Sequence, residues 1–137
     1  AARAHHLRRW EIPRDSEPAG RSGYLRWRAG LHEFHAAEAA RALAEAGYDE
    51  GTAERVGQII RKHDLRRDPE VQVLEDALCL VFLETGFAAL RAKQGDEQTA
   101  EILCKTLKKM SPAGQRHALQ LDLPAADRAF LTEIAGD

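Results

Sequence analysis

The stretch Arg66-Arg67-Asp68-Pro69-Glu70-Val71-Gln72-Val73-Leu74-Glu75-Asp76-Ala77-Leu78-Cys79-Leu80-Val81-Phe82-Leu83 decides the fold class. Asp68 followed by Pro69 is a helix start, a capping side chain with proline at the first helical position, where its missing N–H costs nothing. Leu74, Ala77, Leu78, Val81 and Phe82 then recur at i, i+3, i+4, i+7 and i+8, the spacing of an amphipathic helix, and the reading predicts one central helix from Val71 to Leu90. Inside it sits a carboxylate pair, Glu75-Asp76. Asp76 shares a stripe with Val73, Leu80 and Leu83, and Glu75 neighbours Val71, Leu78, Cys79 and Phe82. An ionised carboxylate left unpaired in apolar company costs on the order of several kcal/mol, so a cation, a metal or a strong hydrogen-bond donor is expected to meet each one.

Outward from this helix the chain reads as further helices. Residues 1 to about 10 read as the end of a helix stopped at Ile12-Pro13, since the residue before proline is pushed out of the α region. A loop from Pro13 to Gly23 leads to a helix from Tyr24 to Ala46, with Trp27, Leu31 and Phe34 on one face and Gly47 closing it. A third helix starts with Thr52 as N-cap, places Val56, Ile59 and Ile60 together, and ends in Arg61-Lys62-His63, which suits its dipole. Beyond the central helix the pattern predicts Asp96 to Met110, a helix from Ser111-Pro112 through Leu121, and a last one from Pro124 to Ala135. The expectation is a single all-α helical domain over residues 1–137. Because the chain opens without methionine and inside helical sequence, an N-terminal helix or more is expected to precede Ala1.

Composition bounds the function. The 137 residues are 44% hydrophobic and 31% charged, a balance that suits amphipathic helices rather than disorder. The longest apolar run, Ala77 to Leu83, falls far short of the ~20 residues needed to cross a bilayer, so no membrane partner is expected. Cys79 and Cys104 have no CxxC-like spacing and read as buried free thiols of a cytoplasmic protein. The net charge of −2 hides a basic end: residues 1–28 carry seven arginines against three acids, locally +4.

Four of the six histidines come early, as His5-His6 and His32-x-x-His35. Imidazoles with a carboxylate are a common divalent-metal set, and helical bundles draw such ligands from different helices. Arg9 and Arg14 follow His6 closely, and guanidinium groups pair with phosphate. The competing reading is a solvated basic helix end, with Asp76 in an ordinary buried ion pair. Trp10, Trp27 and Tyr24 read as packing residues.

The phrases HLRRWEIPR, GYLRWR, RRDPEVQ.LEDALCLVFLE and KTLKKMS resemble the domain-of-unknown-function family 4202 from residue 1 to about 122. More remotely, the pattern is similar to the HD-domain superfamily of metal-dependent phosphohydrolases, all-α proteins whose His and Asp motifs hold divalent metal. AARAHHL resembles the superfamily's HD helix, the region of His35 a later histidine helix, and LEDALCLVFLE the helix of the final Asp. The resemblance implies an HD-like helical fold with His6, His35 and Asp76 as ligands of a divalent metal ion. The motif's Asp is His6 here, and the helix of the first histidine would precede Ala1.

Two functions follow as expectations. One is a metal-dependent phosphohydrolase acting on a nucleotide or other phosphate ester, with Glu75 and Lys62 as catalytic residues and Arg9, Arg14 and Arg26 holding phosphate. The alternative is a non-catalytic helical module that binds an anion, nucleic acid or protein. A small phosphorylated ligand is the expected partner, with nucleic acid as the second choice, and the sequence leaves the oligomeric state open.

Overall fold

The computed structural model describes residues 1–136, which form seven α-helices: α1 Arg21–Glu45, α2 Glu50–Arg61, α3 Pro69–Thr85, α4 Phe87–Gln94, α5 Asp96–Leu107, α6 Pro112–Ala118 and α7 Ala125–Gly136. Two short 3-10 turns, Arg9–Glu11 and Arg14–Ser16, precede α1. The protein is all-α. None of the described helices is long and apolar enough to cross a membrane. The chain divides into two compact units, Ala1–Val71 and Gln72–Asp137.

The first unit is built on α1 packed against α2. Small residues let the two backbones approach: Ala36 and Ala39 of α1 meet Ile60 and Val56 of α2, with Ala1 and Ala4 on the same cluster. A β-carbon on Gly57 would already lie 3.8 Å from the Ala36 methyl. Asp49 caps α2, its carboxylate accepting from the Thr52 N–H at 2.9 Å and the Thr52 hydroxyl at 2.8 Å. Thr52 is therefore in the first turn rather than at the cap, because a carboxylate satisfies two donors where a hydroxyl satisfies one. The α1 entry needs glycine: a β-carbon on Gly23 would sit 1.9 Å from the Pro18 carbonyl oxygen.

The N-terminal segment is not the expected helix end. Its bonds run i to i+3, from Ala4 N–H to Ala1 O, Leu7 N–H to Ala4 O and Arg9 N–H to His6 O. Arg8 is left-handed at φ 52°, which breaks any α ladder at that point.

In the second unit Cys79, Leu83, Phe87, Leu103, Leu107, Met110, Ala118, Leu123 and Leu131 form the core. Phe87 stacks on Phe130 with ring centroids 6.3 Å apart. Arg91 lies over the Phe130 ring at 4.3 Å and bonds Asp96 and Asp127, tying the α4–α5 turn to α7. Cys79 is buried and Cys104 half-buried, both as free thiols.

The central helix departs from the expectation in two ways. It ends at Thr85, and α4 begins after Gly86, although Gly86 still donates to Phe82 O and accepts from Leu90 N–H. The close approach is what asks for glycine there: the Phe82 ring presses within 3.2 Å of where its β-carbon would be. The buried face is Val71, Leu74, Glu75, Cys79 and Leu83, whereas Val73 and Val81 are 67% and 56% exposed. An apolar run admits several helical faces, and neighbouring helices select one.

Candidate anion-binding cluster in the first unit

Turns before α1 and one face of α1 bring His5, His6, Arg9, Trp27, Arg28 and His35 into one neighbourhood. The His5 and His6 rings are 4.0 Å apart between centroids, and those of His6 and His35 are 6.1 Å apart. Arg9 lies over the Trp27 ring at 5.1 Å and places a guanidinium nitrogen 3.4 Å from His6 Nε2. Arg14 lies over the same indole at 5.8 Å and over Tyr24 at 5.9 Å, and it donates to the carbonyls of Glu17, Pro18 and Gly20. Arg28 donates to the Tyr24 hydroxyl. Trp27 anchors this arrangement: it is buried, and its Nε1–H donates to Ile12 O at 3.0 Å.

Pairing separates these arginines from others of the unit. Arg8 pairs with Glu11 and Glu38, Arg26 with Glu17, Arg41 with Glu38 and Glu45, Arg55 with Asp68 and Glu70, and Arg61 with Glu33. Among the described residues, no such carboxylate partner meets Arg9, Arg14 or Arg28. The guanidiniums instead face aromatic rings, backbone carbonyls and imidazoles, groups that leave their charge uncancelled.

The histidines respond to that field. The pKa of His6, although the residue is exposed, is held down to about 4 by desolvation of its ring first and then by the electrostatic influence of its neighbours, the Arg9 and Arg28 guanidiniums among them. His35 is 1% exposed, and burial pushes its pKa down against the raising effect of its bond to the Leu7 carbonyl. Its Nδ1 is 2.8 Å from Leu7 O. A carbonyl only accepts, so Nδ1 carries the proton and Nε2 presents a bare lone pair. Among the described residues, His35 Nε2 is the buried side-chain nitrogen or oxygen without a hydrogen-bond partner.

The other residues singled out in the sequence stand elsewhere. Arg26 is engaged by Glu17 at 2.9 Å and the Ser22 hydroxyl at 2.8 Å. Lys62 is the C-cap of α2, left-handed at φ 59°. Glu75 and Asp76 belong to the second unit. Glu75 is 3% exposed, with Lys109 Nζ 4.0 Å away and the Cys79 thiol at the same distance. Asp76 is met by hydrogen-bond donors: the Ser111 N–H at 2.8 Å, the Ser111 hydroxyl, and Gln72 Nε2 at 2.9 Å. Ser111 Oγ in turn accepts from Gly114 N–H, so Asp76 and Ser111 together satisfy the start of α6.

A divalent ion held by protein side chains at a catalytic centre commonly takes three of them. His35 has the tautomer a ligand needs, its other ring nitrogen fixed by a carbonyl. Among the described residues, however, no group of three or more His, Cys, Asp or Glu side chains is placed to hold a metal ion.

Sequence reading placed Arg28 on a basic face with Arg8, Arg9, Arg14 and Arg26 that could dock an anion, and missed the part of the Leu7 carbonyl. Arg28, His32 and His35 at i, i+4 and i+7 lie on one face of α1, and that spacing is the signal that points to Arg28. Nothing in the sequence foretells which carbonyl fixes His35. Trp10, read as a packing residue, is 77% exposed.

The fold and this cluster define an all-α protein with a basic, histidine-lined surface site. Residues 1–131 match the family described as "Domain of unknown function (DUF4202)", and the chain belongs to that family. No curated protein and no solved structure matches it.

Proposed function

We propose that the first unit is a non-catalytic binding module for a small phosphorylated anion, held by Arg9, Arg14 and Arg28. The observation that supports this reading is the gathering of three guanidiniums around Trp27 and Tyr24 without a carboxylate, in a unit whose other arginines are so often paired. Guanidinium forks match oxyanions bidentately, and charge-assisted bonds of this kind are about twice as strong as neutral ones. An anion there relieves the mutual repulsion of the three charges. Titration of inorganic phosphate into the chain by calorimetry at pH 8 tests the reading. Binding is expected to weaken about tenfold or more in Arg9→Ala, one lost charge-assisted bond, and to be unchanged in Arg41→Ala, whose guanidinium is already paired. Absence of binding, or equal loss in both variants, overturns it.

A second reading has one observation in its favour. His35 presents a lone pair in the tautomer of a metal ligand, which supports a divalent-metal role for this histidine, with His6 beside it. Titration with Mn²⁺ alone discriminates: stoichiometric binding lost in His35→Asn and kept in Arg9→Ala favours this reading over the first.

A further inference from the structure

We infer that the anion site selects an oxyanion that carries its own proton, with His35 Nε2 as the acceptor of that proton's hydrogen bond. This rests on the proposed anion site and names what kind of anion fills it. The argument starts at the Leu7 carbonyl. Because it can only accept, it fixes the proton of neutral His35 on Nδ1, at 2.8 Å, and leaves Nε2 as a pure acceptor. Nε2 is buried and unpartnered, and a buried acceptor without a donor is costly. Charging the ring does not supply the missing bond, because burial and the nearby Arg9 guanidinium oppose a positive charge on His35; Phe34, edge-on at 5.7 Å, is apolar.

The site therefore offers two opposite demands side by side. Guanidiniums require acceptor oxygens, and Nε2 requires a donor. An anion with an O–H beside its charged oxygens satisfies both. Hydrogen phosphate is such an anion, and a phosphomonoester in its monoanionic form is another. Sulfate has the shape and, at pH 8, the charge of hydrogen phosphate but no proton, and the phosphodiester of a nucleic-acid backbone has none either. The exposed ring of His6 lies 6.1 Å from that of His35 between centroids, in the same neighbourhood.

The experiment compares inorganic phosphate with sulfate by calorimetry on the whole chain at pH 8, with EDTA present and ionic strength matched. The expected result is binding of phosphate at least tenfold tighter than sulfate. His35→Asn, whose amide N–H can keep the Leu7 bond while the Nε2 acceptor is gone, brings phosphate down to the sulfate level and leaves sulfate unchanged. The wild-type protein gives a readout that needs no variant: the ¹⁵N resonance of His35 Nε2 moves on adding phosphate and stays on adding sulfate. Equal binding of the two anions, or an Nε2 resonance indifferent to both, overturns the inference while the anion site stands. Binding of neither anion, with EDTA or without it, overturns the site itself, and phosphate binding that appears only when EDTA is left out overturns the inference by making Nε2 a metal ligand.

Discussion

Asp76→Ala is expected to destabilise the second unit by about 3.5 kcal/mol. The carboxylate accepts from the Ser111 N–H, the Ser111 hydroxyl and Gln72 Nε2. Gln72 also donates to Lys109 O and can turn to solvent, so its loss is cheap. The Ser111 donors are part-buried, and each hydrogen bond to a charged group contributes roughly 1.5–3 kcal/mol, taken here at the low end. Negative charge at the start of α6 adds roughly 0.5 kcal/mol. Urea unfolding followed by circular dichroism reads the total, and amide exchange at 111–118 locates it. Asp76→Asn should fall between, since one amide oxygen replaces two acceptors. A loss below about 1 kcal/mol, with exchange at 111–118 unchanged, would refute the capping role.

Gly114→Ala should cost roughly 1–3 kcal/mol by overpacking, because its methyl would lie 2.6 Å from the Asp76 carboxyl carbon; thermal unfolding checks this, and the double variant with Asp76→Ala should recover part of the loss. His6 and His35 both titrate lower folded than at their ordinary value of 6.5, so the unfolded chain binds more protons from 6.5 down to about 4, and stability falls as pH drops through that window and is flat above it. Melting curves between pH 7.5 and 4.5 test the sign, and His6→Asn should flatten the slope. Trp10→Ala should change unfolding free energy by less than about 0.5 kcal/mol, since an exposed side chain has little packing to lose; a larger loss in denaturant titration would contradict that.

How much of this was legible depended on whether a signal was local. The Ser111-Pro112 start was readable because cap and proline act within one turn, and Ser111 does accept from Gly114 N–H. Asp68 likewise accepts from the Glu70 and Val71 N–H groups at the start of α3. The face of α3 was not readable, because nearly every side of that run is apolar and packing partners chose Val71, Leu74, Cys79 and Leu83. Arg8 illustrates a different failure: a left-handed arginine has no sequence signature, yet it breaks the helix that residues 1 to about 10 were read to end. At the site, the early clustering of histidine and arginine pointed to the neighbourhood of His6 and Arg9, while the resemblance joined His6 and His35 with Asp76 as metal ligands. The partners of Asp76 were not, since Ser111 is 35 residues away and only the folded chain brings it near.

The seven residues of α6 bear on the order of folding events. A segment so short cannot hold a helix in water on its own, because nucleation is unfavourable and few bonds follow to offset it. Its start is held locally by Ser111, whose Oγ accepts from Gly114 N–H, and from outside by the Asp76 carboxylate carried on α3. The expected order is α3 first and α6 after it. Substitutions at the Asp76–Ser111 contact should accelerate unfolding while leaving the refolding rate nearly unchanged.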